Sequence, residues 1–218
     1  MKKIMFNDKY GLANAVLSEK KTMTRRIIKA PRRTIKGKEV CGFAIHKTPD
    51  GVPYEVWLTG PDEESLCQLL PTYKVGEVVA VAQAYKDIAE NAYFASQCAA
   101  NEESVSGMKY EKGWDNKMYV AAYYMPHHIR ITEIKVERLQ EITEEDCMKE
   151  GIIRRDDCIN SRMEDIVVYT FKNSFVNHVY KTYPTPREAF AALIDKVSGK
   201  GTWENNPWVF AYTFEPID

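Results

Sequence analysis

The segment KKTMTRRI, residues 20–27, crowds four cations and two threonine hydroxyls into eight residues. Lys21 and Thr24 are three residues apart, so their side chains would share a face of a helical turn but point to opposite faces of a strand. A hydroxyl beside an amine makes a nucleophile when the amine is desolvated enough to accept the proton. The spacing therefore indicates a candidate base and nucleophile. The ordinary alternatives are a turn or cap role for Thr24 and surface charge for Arg25 and Arg26.

Glu150 is the carboxylate that could complete such a site. The helix predicted to start after Thr143 should end at Gly151, which leaves Glu150 in its last turn. The helix dipole disfavours a carboxylate there by roughly 0.3–1 kcal/mol, so a nearby cation would stabilise it. The densest supply of cations is the segment that contains Lys21. We therefore expect Glu150 to approach Lys21 and hold it in place; a solvent-facing side chain at a frayed helix end is the alternative.

Charge is unevenly distributed along the chain. The formal net charge is −1, yet residues 20–38 contain nine Lys or Arg and no acid. In residues 137–150 the acids outnumber the bases six to two. A local basic stripe in a nearly neutral protein favours a site for an anionic partner over general coating of nucleic acid. For the basic residues of 32–38 taken alone, the alternative to an anion-binding site is an ordinary solvated loop.

Composition places the chain among ordinary globular proteins. It has 218 residues, 44% hydrophobic and 28% charged, which is typical of one large domain or a small domain with insertions. The longest apolar run falls far short of the ~20 residues that a membrane helix needs, and the start of the chain lacks the apolar core of a signal peptide. We expect a cytoplasmic protein with no membrane partner.

The cysteine and histidine pattern does not resemble a metal site. The five cysteines are scattered and never form a CxxC pair, which argues against a disulfide framework and a zinc knuckle. His127 and His128 are adjacent, so on a strand they would point to opposite faces. We expect neither a metal nor another cofactor.

Periodicity predicts mostly strands, with short helices at the edges. Strands are predicted near residues 3–6, within 73–85 and at 206–214, a hairpin at 40–60, and helices at 8–19, 144–150 and 186–198. Asn7 or Asp8 would cap the first helix, and Thr143 and Thr185 the other two. The apolar phase slips between residues 129 and 139, so a strand there needs a bulge near Thr132 and Glu133. This is an α+β fold whose long bulged strand suits a small curved β-barrel.

Five segments in order resemble the ASCH-domain family, most closely its longer phage and prophage type. They read LSEKKTMTRRI, YKVGEVVAVAQAY, MPHHIRITEIKVERLQEITEEDCMKEGI, TPREAFAALIDKVSGKGTW and NPWVFAYTF. The resemblance covers most of the chain and implies a single domain over residues 1–218 with a PUA-like β-barrel. Insertions would lie at about 31–72, 87–116 and 154–182.

The resemblance also points to the trio described above. The family signature GxKxxTxR is matched by Lys21, Thr24 and Arg26, with Glu19 where the glycine usually stands. Some small family members hydrolyse N4-acetylcytidine with a Lys, a Thr and a Glu, and by resemblance the glutamate falls on Glu150. The longer members usually carry MPR, where this chain has Met-Pro-His at residues 125–127.

Two functions share the same predicted pocket. The favoured one is a binding module whose basic cleft holds RNA or a modified nucleotide, with Arg25, Arg26 and Arg130 as cations and Tyr85 or Trp114 as a stacking aromatic. Arg130 keeps the position of a family arginine, and core packing is the alternative for either aromatic. The second function is an amidohydrolase acting on an N4-acylated cytidine-type nucleoside through the Lys-Thr-Glu trio. A structural or assembly role is the third alternative.

Overall fold

The computed structural model describes residues 1–89, 109–159, 162, 164–171, 175–176 and 179–217. Within these ranges the strands are β1 Lys3–Ile4, β2 Met23–Ile27, β3 Thr34–Ile35, β4 Lys38–Glu39, β5 Gly42–Lys47, β6 Pro53–Thr59, β7 Ser65–Gln68, β8 Val78–Val81, β9 His128–Arg138, β10 Ile153–Ile159, β11 Asp165–Thr170, β12 Phe175–Val176, β13 Val179–Tyr180 and β14 Trp208–Pro216. The helices are α1 Leu12–Leu17, α2 Tyr85–Ile88, α3 Glu144–Lys149, α4 Pro186–Ser198 and α5 Thr202–Asn205. Short 3₁₀ turns lie at Lys117–Tyr119, Ala122–Tyr124 and Leu139–Glu141.

A five-stranded sheet in the order β1-β8-β9-β14-β2 forms the centre of the described structure. The β1 and β8 strands are parallel, and the other neighbours are antiparallel. Among the described strands, β1 and β2 are the two edges and do not pair with each other, so the sheet is open. The α+β class is therefore confirmed, with strands in the majority, while closure into a barrel is not seen.

The predicted bulge in β9 is present. Thr213 pairs with Glu133 and Phe214 pairs with Ile131, so Thr132 is the extra residue. An extra residue shifts the side-chain alternation by one position. Ile131 before the bulge and Val136 after it are consequently both buried.

Two of the three predicted helices have the expected starts. The Thr143 hydroxyl accepts a hydrogen bond from the Asp146 amide at 3.1 Å, and the Thr185 hydroxyl accepts one from the Glu188 amide at 3.1 Å. The prediction for residues 8–19 was wrong in extent, because α1 begins only after Gly11, whose φ is 70°. A left-handed residue cannot lie inside a right-handed helix, so residues 8–11 form turns instead.

The regions that the resemblance predicts to be insertions contain small sheets of their own. The predicted hairpin at 40–60 is confirmed as β5 and β6, and β7 joins them. The β10 and β11 strands form a separate antiparallel pair. Most of the predicted insertion at 87–116 lies outside the described residues. Of the helices in the described ranges, none has both the length and the apolar character needed to cross a bilayer.

The packing of α3 and α4 determines where the site can form. The apolar face of α4 buries Ala189, Phe190, Leu193 and Ile194 in the main core. The α3 helix packs against α4 and also against β2. This arrangement brings the C-terminal end of α3 to β2, the edge strand that lies within the basic segment.

Candidate functional site

A cleft of about 650 Å³ lies between the edge strand β2 and the helix α4. It is lined by Met5, Phe6, Asn7, Leu12, Lys21, Thr24, Arg25, Arg26, Ile27, Lys29, Glu150, Phe190, Leu193, Ile194, Val197 and Ser198. The volume lies within the range of roughly 300–1,000 Å³ that is typical of small-molecule sites. One wall is apolar and comes from α4; the opposite wall is polar and comes from β2 and the end of α3.

Lys21 and Glu150 meet in the polar wall of this cleft. Lys21 Nζ donates hydrogen bonds to Glu150 Oε2 at 2.5 Å and to the Glu150 carbonyl at 2.8 Å. Lys21 is 1% exposed and Glu150 is 5% exposed. The structure therefore brings together the lysine and the glutamate that the sequence predicted to meet, and it places the pair out of water.

The turn before β2 has a different geometry from the one that the spacing suggested. Lys21 precedes β2 and Thr24 lies within it, so the two share no helical turn. Glu19 has a φ of 60°, the left-handed conformation that glycine adopts most readily. The Thr22 amide then donates to the Lys149 carbonyl at 2.9 Å. This turn and this hydrogen bond place Lys21 against the end of α3.

The end of α3 is fixed by Gly151. Its φ is 96°, so it is the left-handed residue that commonly follows a helix and stops it. Glu150 is the last residue before this break, as the sequence predicted. Lys21 Nζ donates a hydrogen bond to the Glu150 carbonyl at 2.8 Å, so the lysine caps the C-terminal end of α3.

Thr24 presents a hydroxyl to the cleft. It lies on β2 opposite Tyr212 of β14 and is 6% exposed. In the described part of the chain, no hydrogen bond involves the Thr24 hydroxyl. Because the Thr24 hydroxyl has no hydrogen-bond partner among the described residues and Thr24 keeps a small exposed area, this hydroxyl is available to a ligand in the cleft.

Burial makes Lys21 a weaker base than an ordinary lysine. Loss of hydration lowers the pKa of Lys21, the Glu150 carboxylate opposes this shift, and Arg26 and Arg25 lower the pKa further by repulsion. The Phe6 ring lies 5.9 Å from Lys21 Nζ and adds to the dry surroundings. A buried amine with a lowered pKa can accept a proton from a neighbouring hydroxyl, which a fully charged ammonium cannot.

Arg25 is buried in the polar wall of the cleft, where its guanidinium contacts three carboxylates: those of Glu137, Asp146 and Glu150. Burial alone would lower the pKa of Arg25, but Glu150 and Glu137 raise it on balance. The sequence predicted that Arg25 is a ligand-binding cation. In the structure its guanidinium is instead paired with carboxylates of the protein itself. The excess of acids at residues 137–150 was the signal for this network.

Arg26 and Lys29 are the cations at the open side of the cleft. Arg26 Nη2 donates to the Met5 carbonyl at 2.5 Å, and its guanidinium lies 5.8 Å from the centre of the Phe6 ring. Lys29 is exposed. Neither side chain forms an ion pair with any residue that the structure describes. Both can therefore offer charge to an anionic ligand.

Arg130 and Tyr85 do not line the cleft. Arg130 is on β9, where its Nη1 lies 3.2 Å from Glu215 Oε1. Tyr85 begins α2 and packs near Tyr124, with their ring centres 6.2 Å apart. Trp114 is close to this second cluster, since its carbonyl accepts a hydrogen bond from the Lys86 amide at 3.3 Å. The sequence left two roles open for Tyr85, stacking on a base and packing in the core. Its position agrees with core packing.

The sequence reasoning missed the apolar half of the cleft. The sequence predicted only a helix at residues 186–198, and in the structure Phe190, Leu193 and Ile194 form an apolar stripe on its buried face. Phe6 was read as part of a strand, although it lies in the loop after β1. A helical stripe gives no sign of which of its members face a cavity, so only the packing of α4 against β2 could reveal this wall.

In the ranges that the structure describes, no group of three or more His, Cys, Asp or Glu side chains is arranged to hold a metal ion. Comparison of the chain with family models, with curated proteins and with solved structures gave no match. The residues of the cleft and the motifs quoted above are therefore the basis for a proposed function.

Proposed function

We propose that this protein is an amidohydrolase that acts on an N4-acylated cytidine-type nucleoside in the cleft between β2 and α4. The observation that carries the proposal is the buried Lys21–Glu150 pair, which lines the same cleft of nucleoside size as the available Thr24 hydroxyl. Burying a lysine is costly, and perturbed groups in a cleft are more frequent at functional sites than elsewhere. The open sheet with its bulged β9 is compatible with the PUA-like barrel of the ASCH family, which we include in the proposal.

The reaction needs one nucleophile and one base. The unprotonated Lys21 amine takes the proton of Thr24 as the Thr24 oxygen attacks the acyl carbonyl. The tetrahedral intermediate then breaks the bond between the acyl carbon and N4, and Lys21 returns the proton to the leaving amine. The acyl group is left as an ester on Thr24. Lys21 next deprotonates a water, which attacks the ester carbonyl. The bond between the acyl carbon and the Thr24 oxygen then breaks, Lys21 returns the proton to that oxygen, and the carboxylic acid is released.

Glu150 and Arg26 have different roles in this scheme. Glu150 touches the base rather than the substrate, so it orients the Lys21 amine and stabilises the ammonium that forms in each half of the reaction. Arg26 lies two positions after Thr24 on β2, and alternation places both side chains on one face. Arg26 is therefore the cation best placed to stabilise the oxyanion of the intermediate.

The second candidate is binding of RNA or a modified nucleotide without chemistry. It is favoured by Arg26 and Lys29 at the cleft and by the exposed cations of the β3–β4 hairpin, Arg32, Arg33 and Lys36, which form no ion pair within the described residues. Cations without acidic partners are what phosphate binding requires. Both functions use the same cleft, so binding alone does not distinguish them.

The test is incubation of the purified protein with N4-acetylcytidine, followed by measurement of acetate and cytidine. We expect turnover by the parent protein, no turnover by Thr24→Ala, and retained turnover by Thr22→Ala, which removes a neighbouring hydroxyl outside the trio. Binding of the nucleoside without release of acetate would contradict the amidohydrolase and leave the binding function. Absence of both binding and release would contradict the amidohydrolase and any binding of this modified nucleoside.

A further inference from the structure

Arg25 lies at the centre of a buried cluster of charges in the wall of the cleft. Its side chain is 1% exposed. Its Nε donates to Glu137 Oε1 at 2.7 Å, its Nη2 to Asp146 Oδ2 at 3.1 Å and its Nη1 to Glu150 Oε1 at 3.2 Å. Each nitrogen of the guanidinium is therefore held by a carboxylate. A group bound in this way is part of the protein's own framework.

The Glu150 carboxylate is shared between two cations. Its Oε2 lies 2.5 Å from Lys21 Nζ, and its Oε1 lies 3.2 Å from Arg25 Nη1. A carboxylate that is held at one oxygen cannot turn to present both oxygens to the lysine. Part of its charge is also balanced by the guanidinium. The attraction that Lys21 receives from Glu150 is consequently smaller than it would be in an isolated pair.

We propose that Arg25 is a positioning residue that holds one oxygen of Glu150, so that only the other oxygen engages Lys21 and the lysine remains available as a base. This proposal rests on the proposed function, because it gives Arg25 a role in the reaction only through Lys21. Arg25 stands at one of the positions that the GxKxxTxR signature leaves unspecified. Its assignment therefore comes from the geometry of this chain alone.

The other charged groups near Lys21 and Glu150 lie on β2, β9 and α3. Arg26 of β2 repels the Lys21 ammonium, and Glu137 of β9 and Asp146 of α3 face Arg25. Lys149 approaches Asp146 from the solvent side at 3.7 Å. Burial raises the pKa of the neighbouring Cys147 thiol to about 12, with Arg25 and Arg187 opposing this shift, so the thiol stays neutral. Arg25 and Arg26 are thus the cations that oppose protonation of Lys21.

Removal of the guanidinium should make Lys21 harder to deprotonate. Both Glu150 oxygens would then be free for the lysine, and one repulsive charge would be gone. Each change favours the ammonium, so the pKa of Lys21 should rise in Arg25→Gln and the acidic limb of the pH–rate profile should move to higher pH. Turnover at neutral pH should fall by about tenfold for each unit by which the limb moves.

The experiment is an NMR titration of isotopically labelled lysine side chains in the full chain, with the Lys21 signal assigned by its absence from Lys21→Met. It compares the parent protein with Arg25→Gln and with a matched control, Arg130→Gln. The control removes an arginine that is also paired with a carboxylate, Glu215 at 3.2 Å, but that does not line the cleft. We expect the Lys21 titration to move to higher pH in Arg25→Gln and to stay in place in Arg130→Gln.

An unchanged Lys21 titration in folded Arg25→Gln would overturn the proposal. If that variant does not fold, Arg25→Lys takes its place, because a single ammonium cannot span three carboxylates and should give the same direction of shift. The titration needs no substrate, so the two failures are distinguishable. A shifted titration without turnover by the parent protein would contradict the proposed function, and turnover without a shift would contradict the role of Arg25.

Discussion

Lys21 Nζ lies 2.5 Å from Glu150 Oε2, and the same ammonium donates to the Glu150 carbonyl at 2.8 Å. One lysine therefore caps the last turn of α3 and pairs with its final carboxylate. The dipole at the end of a helix disfavours a negative charge, and Lys21 supplies the compensating cation from another part of the chain.

Breaking the pair on one side should destabilise the fold. Lys21→Met leaves the Glu150 charge buried with only Arg25 as partner, and loss of one member of a buried pair typically costs about 3–5 kcal/mol. The double variant Lys21→Met with Glu150→Leu should recover much of this free energy of unfolding. Urea unfolding of both single variants and the double variant measures the coupling. Strictly additive effects would contradict a direct interaction.

Stability should depend on pH through Lys21. Because folding lowers the pKa of Lys21 below its ordinary 10.5, the unfolded chain binds more protons than the folded one between the two pKa values. The free energy of unfolding contributed by this group therefore rises with pH in that window and levels off above 10.5. The comparison is between parent and Lys21→Met unfolding as pH is raised. The parent should gain stability relative to the variant, and the opposite slope would contradict the lowered pKa.

Glu19 should be a strained position that tolerates glycine. At a φ of 60°, a residue with a side chain carries a conformational cost of roughly 1–2 kcal/mol that glycine avoids. Glycine also loses more freedom on folding, by about 0.4–1 kcal/mol. We expect Glu19→Gly to be neutral or slightly stabilising in thermal unfolding and Glu19→Val to be clearly destabilising. Equal stability of the two variants would show that this turn relaxes.

Cysteine labelling should separate the exposed from the buried thiols. Cys147 is fully buried and its pKa is raised to about 12, so it lacks both access and the thiolate form that reacts. Cys41 is exposed. Peptide mapping after alkylation of the native protein should find Cys41 modified and Cys147 intact until the chain is unfolded. Modification of native Cys147 would mean that α3 does not pack as described.

The parts of the fold that local chemistry determines could be predicted from the sequence. Thr143 and Thr185 begin helices because their hydroxyls replace missing backbone partners, and the slip between Ile131 and Ile134 requires the bulge at Thr132. The meeting of Lys21 and Glu150 could also be predicted, because an unfavourable carboxylate at a helix end needs a cation. These inferences use only short-range spacing and charge.

The remaining features depend on packing between distant elements. Arg25 looked like a ligand-binding cation because its neighbours Glu137 and Asp146 come from β9 and α3, more than a hundred residues along the chain. Gly11, with its left-handed φ of 70°, makes the first helix begin later than the sequence predicted. Arg130 and Tyr85 were predicted to share the cleft, but pairing in the sheet and packing of α2 place them elsewhere.

In the proposed reaction, Thr24 carries the acyl group during hydrolysis, and Lys21 is the base that deprotonates the Thr24 hydroxyl. The most direct measurement is rapid quenching of the protein with N4-acetylcytidine, followed by mass spectrometry of the peptide that contains Thr24. In the parent protein we expect an acetylated Thr24 that forms and decays during turnover. The modification should be missing in Thr24→Ala and should accumulate more slowly in folded Lys21→Met. Release of acetate without any acetylated Thr24, or persistence of turnover in Thr24→Ala, would contradict this reaction.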